Sequence, residues 1–254
     1  MLRVIITGAS SGIGAALARH YAGRGAVLGL IARRKTALEQ LAASLAVPVR
    51  IYPLDVRDSA AMQAAALDFL QCHGCPDIVI ANAGVSVGTL TEFAEDLAAF
   101  KDVIDINLNG MVHTFQPFIA AMRAARRGNL VGIASVAACR GLPGAAAYSA
   151  SKAAAVSYLE SLRVELRASG VKAITICPGY IATPMTSQNP YPMPFILSAE
   201  AAARRIARVI DRGQTLAIIP WQMAIVARIL RVLPNWLYDR LFGRAPRKPR
   251  LPRP

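Results

Sequence analysis

The sequence predicts an α/β fold: a doubly wound parallel sheet with helices on both faces, followed by a C-terminal helical extension. Two observations carry this. Strand-like apolar runs alternate with alanine-rich helical stretches as far as Ile218-Ile219, the pattern of βαβ units whose sheet is covered on both sides. A glycine-rich turn, Thr7-Gly8-Ala9-Ser10-Ser11-Gly12-Ile13-Gly14, separates the first apolar run from the first helical stretch. At 254 residues and 27.0 kDa the chain suits one such domain with a large core. No internal repeat is visible. In this architecture ligands sit outside the carboxyl ends of the strands.

In chain order, residues 2–6, Leu-Arg-Val-Ile-Ile, read as a short buried strand. The glycine turn follows at once, and helix is predicted from Ala15. Three glycines at a strand-to-helix turn let backbone approach a pyrophosphate, and the helix N-terminus offers N–H groups to it. The spacing is Gly-x-x-x-Gly-x-Gly. The second strand, about Ala26 to Ile31, runs into Ala32-Arg33-Arg34. A carboxylate here would bind the ribose 2′-hydroxyl of NAD. None is present, and Arg33 suits a 2′-phosphate, so NADP(H) is expected. The alternative is that Arg33 and Arg34 are solvated residues at a helix start.

Cys72-His73-Gly74-Cys75 falls in the loop before a strand at Ile78 to Ile80. A lone Cys-x-x-Cys lacks a second ligand pair, so no metal is expected. The four cysteines are scattered, which is no disulfide framework and fits a reducing cytoplasm. No secretory n-region or h-region precedes the first strand.

Tyr148 and Lys152 stand four apart in Tyr148-Ser149-Ala150-Ser151-Lys152, with Ser135 thirteen residues upstream. On a helix the pair shares one face, one turn apart. A free phenol has a pKa of about 10. A cationic lysine beside it favours the phenolate and moves that pKa toward the operating range. Ser135 can steady a carbonyl or hydroxyl oxygen next to the phenol. The result is a proton-transfer site for carbonyl and alcohol chemistry. Between Thr183 and Glu200, Met185, Tyr191, Met193, Phe195, Ile196 and Leu197 offer apolar contacts and no charged clamp.

The C-terminal end is different in kind. Trp221 to Leu233 and, after Pro234, Asn235 to Phe242 are two nearly apolar helical segments. Arg228, Arg231, Asn235 and Asp239 leave a narrow polar stripe and a wide apolar face. From Arg204 to Pro254 there are 12 Lys and Arg against two Asp, which is +10 of the chain's formal +14. Residues 244–254 are Pro, Arg and Lys with little else and are expected to be disordered. Three readings stay open. The helices pack on the domain or a partner subunit and roof the pocket; they lie on anionic lipid beside the basic tail; or the tail binds nucleic acid, which net charge alone supports. Pro220, Gln222, Arg228 and Arg231 interrupt the apolar length of about 20 residues that a membrane span needs.

With these residues assembled, the chain resembles the single-domain branch of the short-chain dehydrogenase/reductase family, over residue 2 to about 220. Thr7 to Gly14 looks like the family's cofactor loop, supplying Gly8, Ser10, Ser11, Gly12, Ile13 and Gly14. Asp55-Val56 looks like the pair beside the adenine. Asn82-Ala83-Gly84 is similar to the family's Asn-Asn-Ala-Gly, with Ala81 in place of its first asparagine. Asn107 in Asp105-Ile106-Asn107 matches the asparagine of a catalytic tetrad whose other members match Ser135, Tyr148 and Lys152. Pro178-Gly179 and Thr183 resemble the turn beside the nicotinamide. The resemblance implies a Rossmann-like NADP-binding domain over 1–220, with the helical extension at 221–243 and the tail at 244–254. It also implies a mechanism. Hydride passes between nicotinamide and a carbonyl carbon while Tyr148 moves the proton and Ser135 positions the oxygen. Lys152 holds the ribose hydroxyls and lowers the tyrosine pKa, and Asn107 anchors a water that links Lys152 to solvent.

The expected activity is an NADP(H)-dependent carbonyl reductase or alcohol dehydrogenase on an apolar substrate, in a cytoplasmic homodimer or tetramer that also touches the inner membrane surface if the lipid reading holds. A non-catalytic dinucleotide sensor or scaffold on the same fold is the alternative, and the phenol–lysine pair argues against it.

Overall fold

The computed structural model of the chain describes residues 1–250. The first half runs Arg3–Thr7 (β1), Gly12–Ala22 (α1), Val27–Ala32 (β2), Lys35–Ala43 (α2), Val49–Pro53 (β3), Ser59–His73 (α3) and Ile78–Ala81 (β4). Asp96–Ile104 (α4), a π-helical turn at Asp105–Asn109, Gly110–Ala125 (α5), Gly128–Ile133 (β5), Ala146–Glu165 (α6) and Val171–Pro178 (β6) follow. The chain then makes two short strands, Ile181–Ala182 (β7) and Leu197–Ser198 (β8), before Ala199–Asp211 (α7) and Leu216–Ile219 (β9). Trp221–Val232 (α8) and Asn235–Phe242 (α9) complete the helices.

Seven parallel strands form the main sheet in the order β3-β2-β1-β4-β5-β6-β9. Both faces are covered, which is why its strands are continuous rather than alternating apolar runs; β2 is buried at all six positions. On one face Leu17 and Tyr21 of α1 pack with Ile206 and Ile210 of α7. On the other, Phe69 of α3, Phe115 and Phe118 of α5 and Leu159 of α6 form a second core. Strand order reverses between β1 and β4, so the loops that follow these two strands diverge and open a crevice. The first helix begins at Gly12, three residues earlier than Ala15, directly after the extended Ser11 (φ −166°, ψ 174°).

At the C-terminus α8 buries Met223 and Ala227, and α9 buries Tyr238. Arg140 holds the pair in place. Its guanidinium donates to the carbonyls of Leu230 (2.8 Å) and Leu233 and to Asn235 Oδ1 (2.8 Å), and lies 4.0 Å from the centroid of the Tyr238 ring. The Tyr238 hydroxyl donates to Gly141 O at 2.6 Å. No helix among the described residues is long and apolar enough to cross a membrane.

The basic tail takes a defined course over its described part, where composition alone leads to an expectation of disorder. Gly88 N–H donates to Pro249 O at 2.9 Å. Arg250 reaches both Asp96 oxygens, at 2.8 and 3.0 Å, and Glu95 Oε1 at 3.3 Å, with its guanidinium 3.8 Å from the centroid of the Phe93 ring. A planar fork facing two carboxylates and an aromatic face accounts for the order. The rest of the predicted disordered segment, residues 251–254, lies outside the described residues.

Candidate active site

A cavity opens in the crevice at the strand-order reversal. Its floor comes from the loops after β1 and β4. Thr7 is buried at the end of β1, and its Oγ1 accepts from the N–H groups of Asn82 (3.1 Å) and Ala83 (3.2 Å). Asn82 Nδ2 returns bonds to the carbonyls of Thr7 (3.0 Å) and Gly8 (3.3 Å). The two loops are thus pinned together. Gly8, Ser10, Ser11, Gly12 and Ile13 line the cavity, as do Asp55, Val56, Asn82, Ala83 and Gly84.

This floor fits a dinucleotide. Gly12 has φ +55° and a Cβ there would stand 3.0 Å from Thr183 Cγ2, so glycine keeps the approach to the α1 N-terminus open. Gly14 lies behind the cavity, where a Cβ would meet Gly8 O at 2.3 Å; its role is close packing of α1 on the loop. No side chain caps the N-terminus of α1 and no acid stands in its first turn, which leaves N–H groups for a phosphate. At the far end of the cavity stand Arg33 and Arg34. Arg33 is 62% exposed with a 3.9 Å pair to Asp55. Arg34, passed over in the sequence reading in favour of Arg33, donates to Ser10 Oγ (3.0 Å) and Ser11 Oγ (2.9 Å). The signal was the adjacent arginine pair.

At the other end Ser135, Tyr148 and Lys152 face the same cavity, together with Pro178, Gly179 and Thr183. Ser135 terminates the strand-to-loop passage after β5 and accepts from Ala137 N–H at 3.1 Å, which orients its hydroxyl. Tyr148 and Lys152 lie on α6, with Lys152 Nζ 5.8 Å from the phenol ring centroid. Lys152 is buried and donates to Ile133 O at 2.8 Å. Asn107 sits in the π-helical turn, a distortion that often marks functional positions. It does not line the cavity. Its side chain accepts from Val85 N–H (2.8 Å) and donates to Val85 O and Ser151 Oγ (both 3.0 Å). Asn107 therefore braces the loop after β4 against α6, within reach of Gly84, where a Cβ would touch both Asn107 Oδ1 and Lys152 Nζ.

The electrostatics depart from the expectation that Lys152 depresses the tyrosine. Burial pushes the Tyr148 phenol up, and the hydrogen bond from Ser135 pulls it partly back. Burial pulls the Lys152 ammonium down to about 8. In the protein alone, desolvation is the largest influence on both groups.

The substrate side is built from elements far apart in sequence. β7 and β8 pair at the base of the segment between them, and Thr186 Oγ1 donates to Ile181 O at 2.6 Å, folding Pro184, Met185 and Thr186 over the cavity. The Tyr191 ring meets that of Tyr180, with centroids 6.4 Å apart. Met223 of α8 backs Gly179, where a Cβ would stand 2.6 Å from Met223 Cγ. The tail passes nearby: a Cβ on Gly144 would meet Arg247 at 2.9 Å, and Lys248 Nζ is 3.4 Å from Met185 O. Met223, Arg247 and Lys248 carry no local motif and were not anticipated. Cys72, Cys75, Cys139 and Cys177 are all free thiols.

The model of the short chain dehydrogenase family matches residues 3–192. An uncharacterized oxidoreductase of Myxococcus xanthus is 39% identical over 240 residues, covering 92% of this chain and 94% of the relative. A 2-dehydro-3-deoxy-L-rhamnonate dehydrogenase (NAD(+)) of Sphingomonas is 36% identical over 186 residues, 73% of this chain and 74% of that one. Among solved structures, an alcohol dehydrogenase from the archaeon Thermococcus sibiricus, complexed with 5-hydroxy-NADP, superposes with a TM-score of 0.77 at 26% identity, covering 86% of this chain and 96% of that one. With its sheet order, its glycine loop and this match over most of its length, the chain belongs to the short-chain dehydrogenase family.

Proposed function

We propose that this chain is an NADP(H)-dependent oxidoreductase that interconverts a carbonyl group and the corresponding alcohol in an apolar substrate. The observation that carries this reading is the convergence of Ser135, Tyr148 and Lys152 on the cavity whose other end holds the glycine loop, Arg33 and Arg34. When bound, the nicotinamide supplies or accepts the hydride. Tyr148 gives its proton to the carbonyl oxygen in reduction and takes it back in oxidation, and Ser135 holds that oxygen by its hydroxyl. Lys152 binds ribose hydroxyls and lends positive charge. Asn107 braces Val85 and Ser151 around this group and holds the water assigned to it by family resemblance. Because burial raises the phenol pKa, Tyr148 stays protonated at neutral pH, which serves carbonyl reduction.

For the cofactor, the absence of a carboxylate at the end of β2 and the presence of two arginines favour a 2′-phosphate. The Sphingomonas relative is named for NAD(+) and the archaeal neighbour carries an NADP derivative, so the proposal of NADP(H) rests on these residues. Asp55 sits beside the adenine end, paired with Arg57. Met185, Tyr180 and Tyr191 favour an apolar substrate. A binding module without catalysis fits less well, because it has no need of Ser135, Tyr148 and Lys152 in one cavity.

The test is to assay purified protein with NADPH and NADH against aldehydes, ketones and 3-oxoacyl thioesters, beside Tyr148→Phe. Turnover with NADPH is expected, with Tyr148→Phe losing at least about 100-fold in kcat and binding NADPH within a few-fold of wild type. Absence of dinucleotide binding to the wild type, or a Tyr148→Phe variant with most of its kcat, overturns the assignment.

A further inference from the structure

α8 has two apolar faces. The inner one, Met223 and Ala227, is buried on the domain. The outer one is in solvent: Trp221 is 66% exposed, Ile225 52%, Ile229 53% and Val232 75%, and Trp236 of α9 follows at 69%. The spacing 221, 225, 229 and 232 is one helical stripe on α8, and Trp236 follows on α9 after the break at Leu233 and Pro234. Two tryptophans and three β-branched residues exposed together on α8 and the start of α9 mark a contact site, not ordinary surface. Arg228 borders the stripe and Arg231, Arg240 and Arg244 are exposed around it. Asp239 is the sole acid from residue 221 to 250, against seven Arg and Lys.

We propose that this face docks on an anionic lipid surface, with α8 and α9 lying in the interfacial plane. Charge selects this occupant over a second copy of the chain. A two-fold contact would set each patch against itself and bring Arg228 and Arg231 toward their own counterparts with almost no acid to relieve them. An anionic headgroup layer meets the same arginines with opposite charge. Tryptophan rings are favoured at headgroup depth, and no helix here is long enough to go deeper. The docked helices are latched by Arg140 and Tyr238 to the loop between Ser135 and Tyr148. The lipid contact therefore holds the loop that joins Ser135 to Tyr148, two residues lining the cavity, at the bilayer surface, where an apolar carbonyl compound partitions.

The chain's two tryptophans are Trp221 and Trp236, so its tryptophan emission reports this patch alone. Full-length protein is mixed with phosphatidylcholine vesicles, with and without phosphatidylglycerol, and followed by emission and co-sedimentation. Anionic vesicles are expected to blue-shift the emission and carry the protein down; neutral vesicles do so weakly, and high salt partly reverses it. The double change Ile225→Glu and Ile229→Glu, at exposed positions, abolishes binding. Arg228→Glu with Arg231→Glu weakens it at least tenfold, at about fivefold per charge near an anionic surface. A wild type that neither shifts nor sediments overturns the proposal, and so does unchanged binding by Ile225→Glu/Ile229→Glu. A wild-type dimer that this variant converts to monomer, without vesicle binding, assigns the face to a second copy. The readout needs neither cofactor nor substrate, so it stands or falls apart from the enzymatic reading.

Discussion

Lys152 shows how much a single buried side chain sets the behaviour of the site. It is 4% exposed, and burial carries its pKa from 10.5 to about 8. Between those values the unfolded chain holds a proton that the folded chain has released, so stability rises with pH across that window. Below about 8 the full cost of a buried ammonium is present, on the order of 3 kcal/mol. Tyrosines with raised pKa values and Cys177, pushed up to about 11, act in the opposite sense at alkaline pH. The wild type therefore has to be compared with Lys152→Met. Urea midpoints from about pH 7 to 10 should climb more steeply for the wild type than for this variant; parallel curves would mean that Lys152 stays charged when folded.

At the scale of elements, the latch between Arg140 and the helical pair makes the sharpest prediction. One guanidinium serves two carbonyls at the end of α8, the start of α9 and the face of Tyr238. Arg140→Met keeps much of the stacking surface and removes the bonds, at a cost of about 2–4 kcal/mol. Amide exchange in 221–242 should accelerate well beyond that in α1 or β4. Equal protection in both proteins would make the docking of α8 and α9 purely apolar. The same latch marks where sequence reading stopped. Tyr148 and Lys152 were legible because a four-residue spacing on a helix is local, and Gly8 to Gly14 because a strand-to-helix turn is local. The apolar nature of 221–242 was equally plain. Which face the domain takes was not, since Met223 and Ala227 differ from Ile225 and Ile229 only in what the fold brings against them. Arg34 turning back onto Ser10 and Ser11, Asn107 bracing Val85, and Arg250 meeting Asp96 from 154 residues away are all tertiary pairings that periodicity does not carry.

For the molecule as a whole, the cavity draws its walls from both halves of the sheet. The loops after β1, β2 and β3 supply Ser11, Arg34 and Asp55, and those after β4, β5 and β6 supply Asn82, Ser135 and Gly179. A ligand spanning them ties the two halves together and raises the unfolding free energy of the entire domain. At a concentration about 100 times its Kd the gain is about 2.7 kcal/mol. For a domain of this size that raises Tm by about 5–10 °C. NADPH should reach this value. NADH lacks the 2′-phosphate proposed to meet Arg33 and Arg34, and each lost charge-assisted bond is worth roughly 1.5–3 kcal/mol. At the same concentration NADH should therefore give less than about half the shift. Replacing Arg33 and Arg34 together with Ala should lower the NADPH shift toward the NADH value and leave the NADH shift nearly unchanged, because a bare ribose 2′-hydroxyl offers the arginines no negative charge. Equal shifts from the two cofactors in the wild type would show that the end of β2 does not discriminate. A fall in both shifts in the double variant would instead place the arginines in the support of the glycine loop, through the bonds of Arg34 to Ser10 and Ser11.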